Sequence, residues 1–228
     1  MKIKYSALVS DMRGKLNGSV ASVNKYASYL RNKVTPVNRK SSAQIAVRNF
    51  FTTVAQAWRG LTTAQRNQWN AGAKNFSRTN IFGDLKQLSG FNLFMRLNQN
   101  LLNVGESQIT VCPLPTEVVP AVCVSAAMDV SDASCDLTLT GAINAGTLVE
   151  VFATPGLSAG KSFVASEFKK IKTANSADGA VLALDGDYIA VFGAIPAAGT
   201  KVFFKTKSIG LANGIPGAES QTSCIVTA

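Results

Sequence analysis

The sequence predicts an α+β protein, with a β-hairpin and about three short helices in the N-terminal half and an all-β, immunoglobulin-like sandwich in the C-terminal half. Residues 1–102 carry 16 Lys and Arg against two acids, whereas residues 103–228 carry seven Lys against eleven acids. At the same point the apolar spacing changes from helical to alternating, and prolines cluster. We therefore expect a basic anchor domain at 1–105, a proline-rich linker at 106–125 and a β-sandwich domain at 126–228.

Residues 8–34 indicate extended structure, because apolar residues are interspersed there with Ser, Asn and Lys. Asn17-Gly18 and Asn24-Lys25 supply turn residues, since Asn and Gly tolerate a positive φ. We expect a β-hairpin or small β-meander here that stops at Thr35-Pro36.

Three helices are expected next. Ser41 and Thr62 each stand three residues before a Gln, which is the spacing of a capping box, and Ser89 is the expected cap of a third helix that ends near Asn103. Residues 77–88 are expected to form a loop. The apolar positions at helical spacing are Val47, Phe51, Val54 and Trp58 in the first helix, Trp69, Ala73 and Phe76 in the second, and Leu93, Phe94, Leu97 and Leu101 in the third.

The C-terminal half has short apolar segments separated by turns rich in Gly, Asp, Asn and Pro, at the spacing of about 8–12 residues that is typical of a β-sandwich. Asp185-Gly186-Asp187 lies between two of these segments, and we interpret it as a hairpin turn rather than a pair of catalytic carboxylates. The expected strands cover 137–140, 148–152, 162–165, 168–173, 181–184, 188–192, 201–205 and 223–226.

The composition argues against enzymatic activity. The chain contains no His, so it has no Ser–His or Cys–His pair for nucleophilic catalysis. The spacing of its four Cys fits no common zinc cluster, and we interpret them as free thiols, with disulfides as the alternative if the protein ends up outside the cell. The segment from Arg13 to Gly18 lacks the phosphate-loop pattern. We expect no catalytic residues, no metal and no cofactor.

Neither a membrane segment nor a secretory signal is indicated. No apolar run approaches the ~18 residues that a transmembrane helix needs. The first ten residues contain too short an apolar stretch for a signal peptide. We expect assembly in the cytoplasm and no membrane partner.

Basic residues are concentrated in one stretch, where eight of them lie from Arg13 to Arg48 with no acid among them. Three interpretations of such a run are open: a solvated face, a surface that docks on an acidic protein, or a surface that contacts nucleic acid directly. In the third, Tyr26 and Tyr29 would stack on the bases. The candidate partner-binding residues are Arg13, Lys15, Lys25, Tyr26, Tyr29, Leu30, Arg31, Lys33, Arg39, Lys40 and Arg48.

A series of spaced motifs runs through the N-terminal half. They are Arg13-Gly14-x-x-Asn17-Gly18-x-Val20, Tyr29-x-Arg31-x-Lys33-Val34-x-Pro36-x-Asn38, Gln44-x-x-Val47-Arg48, Trp58-x-x-Leu61-Thr62-x-x-Gln65-Arg66-x-x-Trp69-Asn70 and Gly90-Phe91-Asn92-Leu93-Phe94. Over roughly residues 8–105 the chain resembles a family of tailed-bacteriophage proteins that are encoded among virion structural genes.

The resemblance implies a virion structural protein that is assembled in the host cytoplasm and binds other virion proteins. The first expectation is a capsid accessory or head-fibre protein, a homo-oligomer that docks on the capsid shell through its basic half. Its C-terminal half loosely resembles the immunoglobulin-like or fibronectin-like domains of phage particles, and we expect it to be displayed. The alternatives are a tail, connector or ring component, and a nucleic-acid-binding protein packaged with the genome, which rests on the charge alone.

Overall fold

The computed structural model describes residues 2–4, 11–35 and 37–228. Residues 8–10 of the expected hairpin region and Pro36, its expected stop, lie outside the described residues. The described part contains four α-helices and three antiparallel sheets of three or more strands, so the mixed α+β class is confirmed.

The N-terminal sheet has four antiparallel strands, of which the second, third and fourth form a meander and the first pairs with the fourth. Asn17 adopts a φ of 50° in the turn between the second and third strands. Asn24 closes the next turn, because its side-chain oxygen accepts hydrogen bonds from the backbone N–H groups of Tyr26 and Ala27, each at 3.0 Å. The predicted meander is therefore present, and a short first strand adds to it. The strands are β1 (Lys2–Ile3), β2 (Gly14–Leu16), β3 (Ser19–Val23) and β4 (Ser28–Asn32).

Three helices follow at the predicted positions: α1 (Ser42–Gly60), α2 (Thr63–Gly72) and α3 (Gly90–Asn103). The cap residues are as expected, since Ser41, Thr62 and Ser89 each accept a hydrogen bond from a backbone N–H three residues later. The second helix is shorter than predicted and continues as a 3-10 turn at Ala73–Phe76. The expected loop at 77–88 contains a small antiparallel ribbon of β5 (Arg78–Thr79) and β6 (Leu85–Lys86).

The helical core forms where the three helices meet. Trp69 is fully buried against Phe94, with ring centroids 5.1 Å apart. Its indole N–H donates to the carbonyl of Thr110 at 2.8 Å, so the chain beyond α3 closes over the core. Val54, Leu93 and Leu97 complete the centre of this core.

The C-terminal half has two antiparallel sheets around one apolar core. The strands are β7 (Cys123–Asp129), β8 (Ser134–Leu139), β9 (Thr147–Ala153), β10 (Lys169–Ala174), β11 (Val181–Ala183), β12 (Lys201–Gly210) and β13 (Pro216–Ile225), with a 3-10 turn at Ser176–Asp178. The strand orders are β10-β9-β12-β13 and β11-β8-β7. The strand β7 runs beside β13, and a parallel bridge joins its last residue, Asp129, to Thr227, two residues beyond the end of β13.

Two strand predictions in this half were wrong. Residues 188–192 form part of a helix, α4 (Asp185–Phe192), and 162–165 are irregular. The Asp185-Gly186-Asp187 segment is the first turn of α4 rather than a hairpin turn, and carboxylates suit the positive end of a helix dipole. Tyr188 and Phe192 are four residues apart, so they share one face of the helix, with ring centroids 4.6 Å apart.

The C-terminal end of α3 contacts the β-half directly. The Asn100 side chain donates to the carbonyl of Gly214 at 2.9 Å, and the Lys170 ammonium donates to the carbonyl of Asn103 at 2.7 Å. The segment 106–125 lies against both halves, because Ile109 packs on the helical core and the N–H of Ala121 donates to Ser208 Oγ at 2.8 Å. The division at 106–125 into two folding units stays a prediction.

Candidate docking surface

The N-terminal sheet presents a basic face. In an antiparallel sheet, residues paired across strands point to the same side. Lys15, Val20 and Arg31 therefore form one row across β2, β3 and β4. Lys2 and Tyr29 are paired in a neighbouring row on the same side. We call these five residues the basic face. Because adjacent strands are ~4.8 Å apart, roughly 10 Å separates the Cα atoms of Lys15 and Arg31.

The basic face lacks local charge compensation. Within the described residues, neither Lys15 nor Arg31 has a carboxylate at ion-pair distance. The side chains of both residues are exposed to solvent. Val20 and Tyr29 are half-buried between them, so the face offers apolar area as well as charge.

The structure separates other predicted contact residues from this face. Leu30 alternates with Tyr29 along β4 and lies on the opposite side of the sheet, where it pairs with the buried Ala21. Tyr26 faces the start of α3, and its hydroxyl accepts a hydrogen bond from the side chain of Asn92. Lys25 is exposed beside it in the turn.

Two more predicted residues flank the sheet. Arg13 immediately precedes β2 and is paired with Asp11 at 2.9 Å, so its charge is already balanced. Lys33 follows β4, and its backbone N–H donates to the carbonyl of Gly18 at 2.8 Å. Lys2 belongs to the basic face although the sequence did not single it out. The signal that could have found it is the alternation of Lys2, Ile3 and Lys4, which is the pattern of a short strand.

A second basic group lies on the segment that leads into α1. The guanidinium of Arg48 donates to Asn38 Oδ1 at 3.1 Å, and the N–H of Lys40 donates to the same oxygen at 3.3 Å. Arg39 is exposed next to them. The structure thus divides the predicted basic residues into a group on the sheet and a group at the beginning of α1.

A cleft adjoins the basic face, between the N-terminal sheet and the β5/β6 ribbon. Its volume is about 760 Å³. Close by, Lys4 pairs with Asp84 at 3.2 Å, and the Asn80 amide together with the Lys4 ammonium holds the pKa of that carboxyl below its usual value. The cleft is lined by Lys2, Asn24, Tyr26, Ser77, Thr79, Asn80, Leu85, Lys86 and Leu88.

Most lysines of the β-half are paired with carboxylates, in contrast to the basic face. Five of them form ion pairs: Lys161 with Glu167, Lys170 and Lys207 with Glu150, Lys172 with Asp178 and Asp187, and Lys205 with Glu219. The remaining two, Lys169 and Lys201, lie over the rings of Phe192 and Phe203 at 5.0 and 5.1 Å. The uncompensated positive charge of the described chain is therefore concentrated in the N-terminal half.

No cluster of three or more potential metal ligands occurs among the described residues. None of the helices described here is long and apolar enough to cross a membrane. All four Cys are free thiols, and Cys135 is fully buried. No protein-family model, curated protein or solved structure matches the chain.

Proposed function

We propose that this chain is a non-enzymatic structural protein of a tailed-bacteriophage virion. It docks on the capsid shell as a homo-oligomer through its basic N-terminal half, and it displays a β-half of immunoglobulin-like form on the particle. The observation that supports the proposal is the contrast in charge pairing. Lys15 and Arg31 have no carboxylate partner among the described residues, whereas five of the seven lysines of the β-half are paired with carboxylates.

Uncompensated charge favours an acidic partner. A positive face raises the rate of encounter with a negative surface, and salt screens this attraction over about 8–10 Å. An exposed ion pair contributes only about 0–1 kcal/mol, so several must act together with apolar contacts. Val20 and Tyr29 supply apolar area on the same face as the charges.

The non-enzymatic part of the proposal rests on the residues available. The chain has no His. Asp185 and Asp187 lie in the first turn of α4, where Asp187 faces the Lys172 ammonium at 3.7 Å. Burial raises the pKa of the Cys135 thiol to about 12, so it is protonated near neutral pH and is a poor nucleophile.

The proposal is tested by reversing charge on the basic face. Phage particles are produced with the double variant Lys15→Glu with Arg31→Glu, and the number of copies per purified particle is measured by quantitative mass spectrometry. We expect at least a tenfold loss of incorporation with an unchanged circular dichroism spectrum, because both side chains are exposed and make no ion pair among the described residues.

The matched control reverses two charges in the β-half, Lys161→Glu with Lys169→Glu. Lys170 is unsuitable as a control because it contacts the buried Glu150 at 3.0 Å. We expect near-normal incorporation of the control. Equal incorporation of both variants, or a loss only in the control, would contradict docking through the N-terminal half.

The position on the particle is tested separately by imaging particles that carry a labelled copy of the chain. Label spread over the outer shell supports the capsid proposal. Label at the neck or tail would instead indicate a tail, connector or ring component, and label in the interior would indicate a protein packaged with the genome.

A further inference from the structure

Helix α1 carries one apolar stripe of which only the second part is covered. The stripe consists of Val47, Phe50, Phe51, Val54 and Trp58, which recur at the three- and four-residue spacing of a single helix face. We call these residues the apolar stripe. Val54 is fully buried, and the Trp58 ring lies 5.3 Å from that of Phe94 in α3.

The first part of the apolar stripe extends into solvent. Val47 is 50% exposed and Phe51 is 52% exposed, although both continue the face that Val54 buries. The connecting segment is held beside this part of the helix by the hydrogen bond from Arg48 to Asn38, and its Val37 is 84% exposed. Val47 and Phe51 are four residues apart and therefore adjacent on the helix surface, so they form an exposed apolar patch, which is typical of a surface that another protein covers.

The surroundings of the uncovered part are basic. A shallow groove of about 410 Å³ is lined by Ala43, Gln44, Val47 and Arg48. Arg39 and Lys40 lie on the connecting segment, and the sequence contains no Asp or Glu from residue 12 to residue 83. A second copy bound face to face would place the same basic residues opposite one another with no acid nearby, which is unfavourable.

We infer that the uncovered part of the apolar stripe binds an acidic segment of the shell protein that carries a large apolar side chain. The apolar side chain packs between Val47 and Phe51, and flanking carboxylates pair with Arg48 and with Lys40 or Arg39. This inference rests on the proposed function and adds a second contact site, on α1, and the chemistry of the partner segment that it binds.

The test is photo-crosslinking within assembled particles. Phe51 is replaced by p-benzoylphenylalanine, purified particles are irradiated, and the adducts are mapped by mass spectrometry. Ile45 is the matched control site, because it is 43% exposed on the same helix but points about 120° away from Phe51 and about 160° away from Val47 around the helix axis. We expect adducts from the Phe51 site with a shell-protein segment of net negative charge, and at least fivefold fewer from the Ile45 site.

Other outcomes overturn the inference. Adducts with a second copy of this chain would assign the apolar stripe to self-association, and adducts with a segment lacking Asp and Glu would contradict the predicted partner chemistry. No adduct from particles that contain the chain would also overturn it and leave the proposed function intact. Absence of the unmodified chain from purified particles would contradict the proposed function and, with it, this inference.

A second measurement separates the apolar from the ionic contribution. Binding of the purified full chain to particles that lack it is followed at several salt concentrations. Val47→Ser with Phe51→Ser should weaken binding at least tenfold at every salt concentration, whereas Arg48→Gln should reduce the dependence of binding on salt. Ile45→Ser should change neither. Equal effects of the Ile45 and Val47/Phe51 variants would overturn the inference.

Discussion

Glu150 is the buried anion where α3 meets the β-half, and its removal should destabilise the protein strongly. Its side chain is only 1% exposed. One carboxylate oxygen accepts hydrogen bonds from Lys170 at 3.0 Å and from the side chain of Asn103, and the other faces the Lys207 ammonium at 3.7 Å. The Glu150→Ala substitution would leave two lysines, both partly buried, without their carboxylate.

The expected magnitude follows from this burial. Removing one partner of a buried ion pair costs about 3–5 kcal/mol, and we expect the lower end because both lysines retain some access to water. A loss of about 3 kcal/mol corresponds to a decrease in melting temperature of roughly 6–12 °C for a chain of this size. Glu150→Gln should cost less, since an amide oxygen still accepts the hydrogen bonds from Asn103 and Lys170.

The assay is urea unfolding followed by circular dichroism and by tryptophan fluorescence. Both Trp residues lie in the helical half, so fluorescence reports on that half and circular dichroism on the whole chain. Glu219→Ala is the matched control, because Glu219 pairs with Lys205 at 3.3 Å but is exposed, and it should cost no more than about 1 kcal/mol. Equal losses for the Glu150→Ala and Glu219→Ala variants would refute the reasoning that Glu150 acts as a buried charge.

Three further predictions concern stability and organisation. Gly214→Ala should lower the free energy of unfolding in urea by at least about 2 kcal/mol, because φ is +67° and the new Cβ would lie 2.3 Å from a carbonyl oxygen of α3. Gly199→Ala is the control, since φ is +81° there but the space around it is open, and it should cost only the ~1 kcal/mol of backbone strain. Equal costs would contradict this contact between the halves. Burial raises the pKa of Cys135 to about 12 and that of Cys224 to about 11. The folded state therefore keeps its full stability below about pH 9 and loses free energy of unfolding as the pH rises above it, by up to about 1.4 kcal/mol per pH unit for each thiol, because only the unfolded chain readily releases the thiol protons. Urea unfolding at pH 8 and at pH 10 should show this loss. An equal loss in a variant with both Cys135 and Cys224 replaced by Ala would contradict it. Limited proteolysis should cut within residues 114–117, which are exposed. Mild urea should then release a C-terminal fragment with a β-type circular dichroism spectrum. An unfolded fragment would contradict the division into two domains.

The elements that the sequence predicted correctly are those with local signals. Ser41, Thr62 and Ser89 cap helices because a hydroxyl can reach a backbone N–H three residues away wherever the chain packs. Asn17 and Asn24 form turns because their side chains and backbone preferences act over two or three residues. These signals need no tertiary contact to be effective.

The elements that the sequence misassigned have no such local signal. An apolar run of five residues such as 188–192 fits a buried strand as well as a buried helix. In the folded protein the helix α4 forms, and it buries Tyr188 in the core. The short strand β1 exists because its residues pair with β4, which lies more than twenty residues away.

By itself, the sequence determined the unequal charge of the two halves, the α+β class, the three helix caps and the turns at Asn17 and Asn24, because composition and local hydrogen bonds do not depend on what is distant in the chain. Only the tertiary structure decided which charges are compensated. Lys170 and Lys207 meet Glu150 across neighbouring strands, whereas Lys15 and Arg31 meet no carboxylate among the described residues. Ion pairing depends on distances of a few ångströms between side chains, and strand register, not sequence separation, sets those distances.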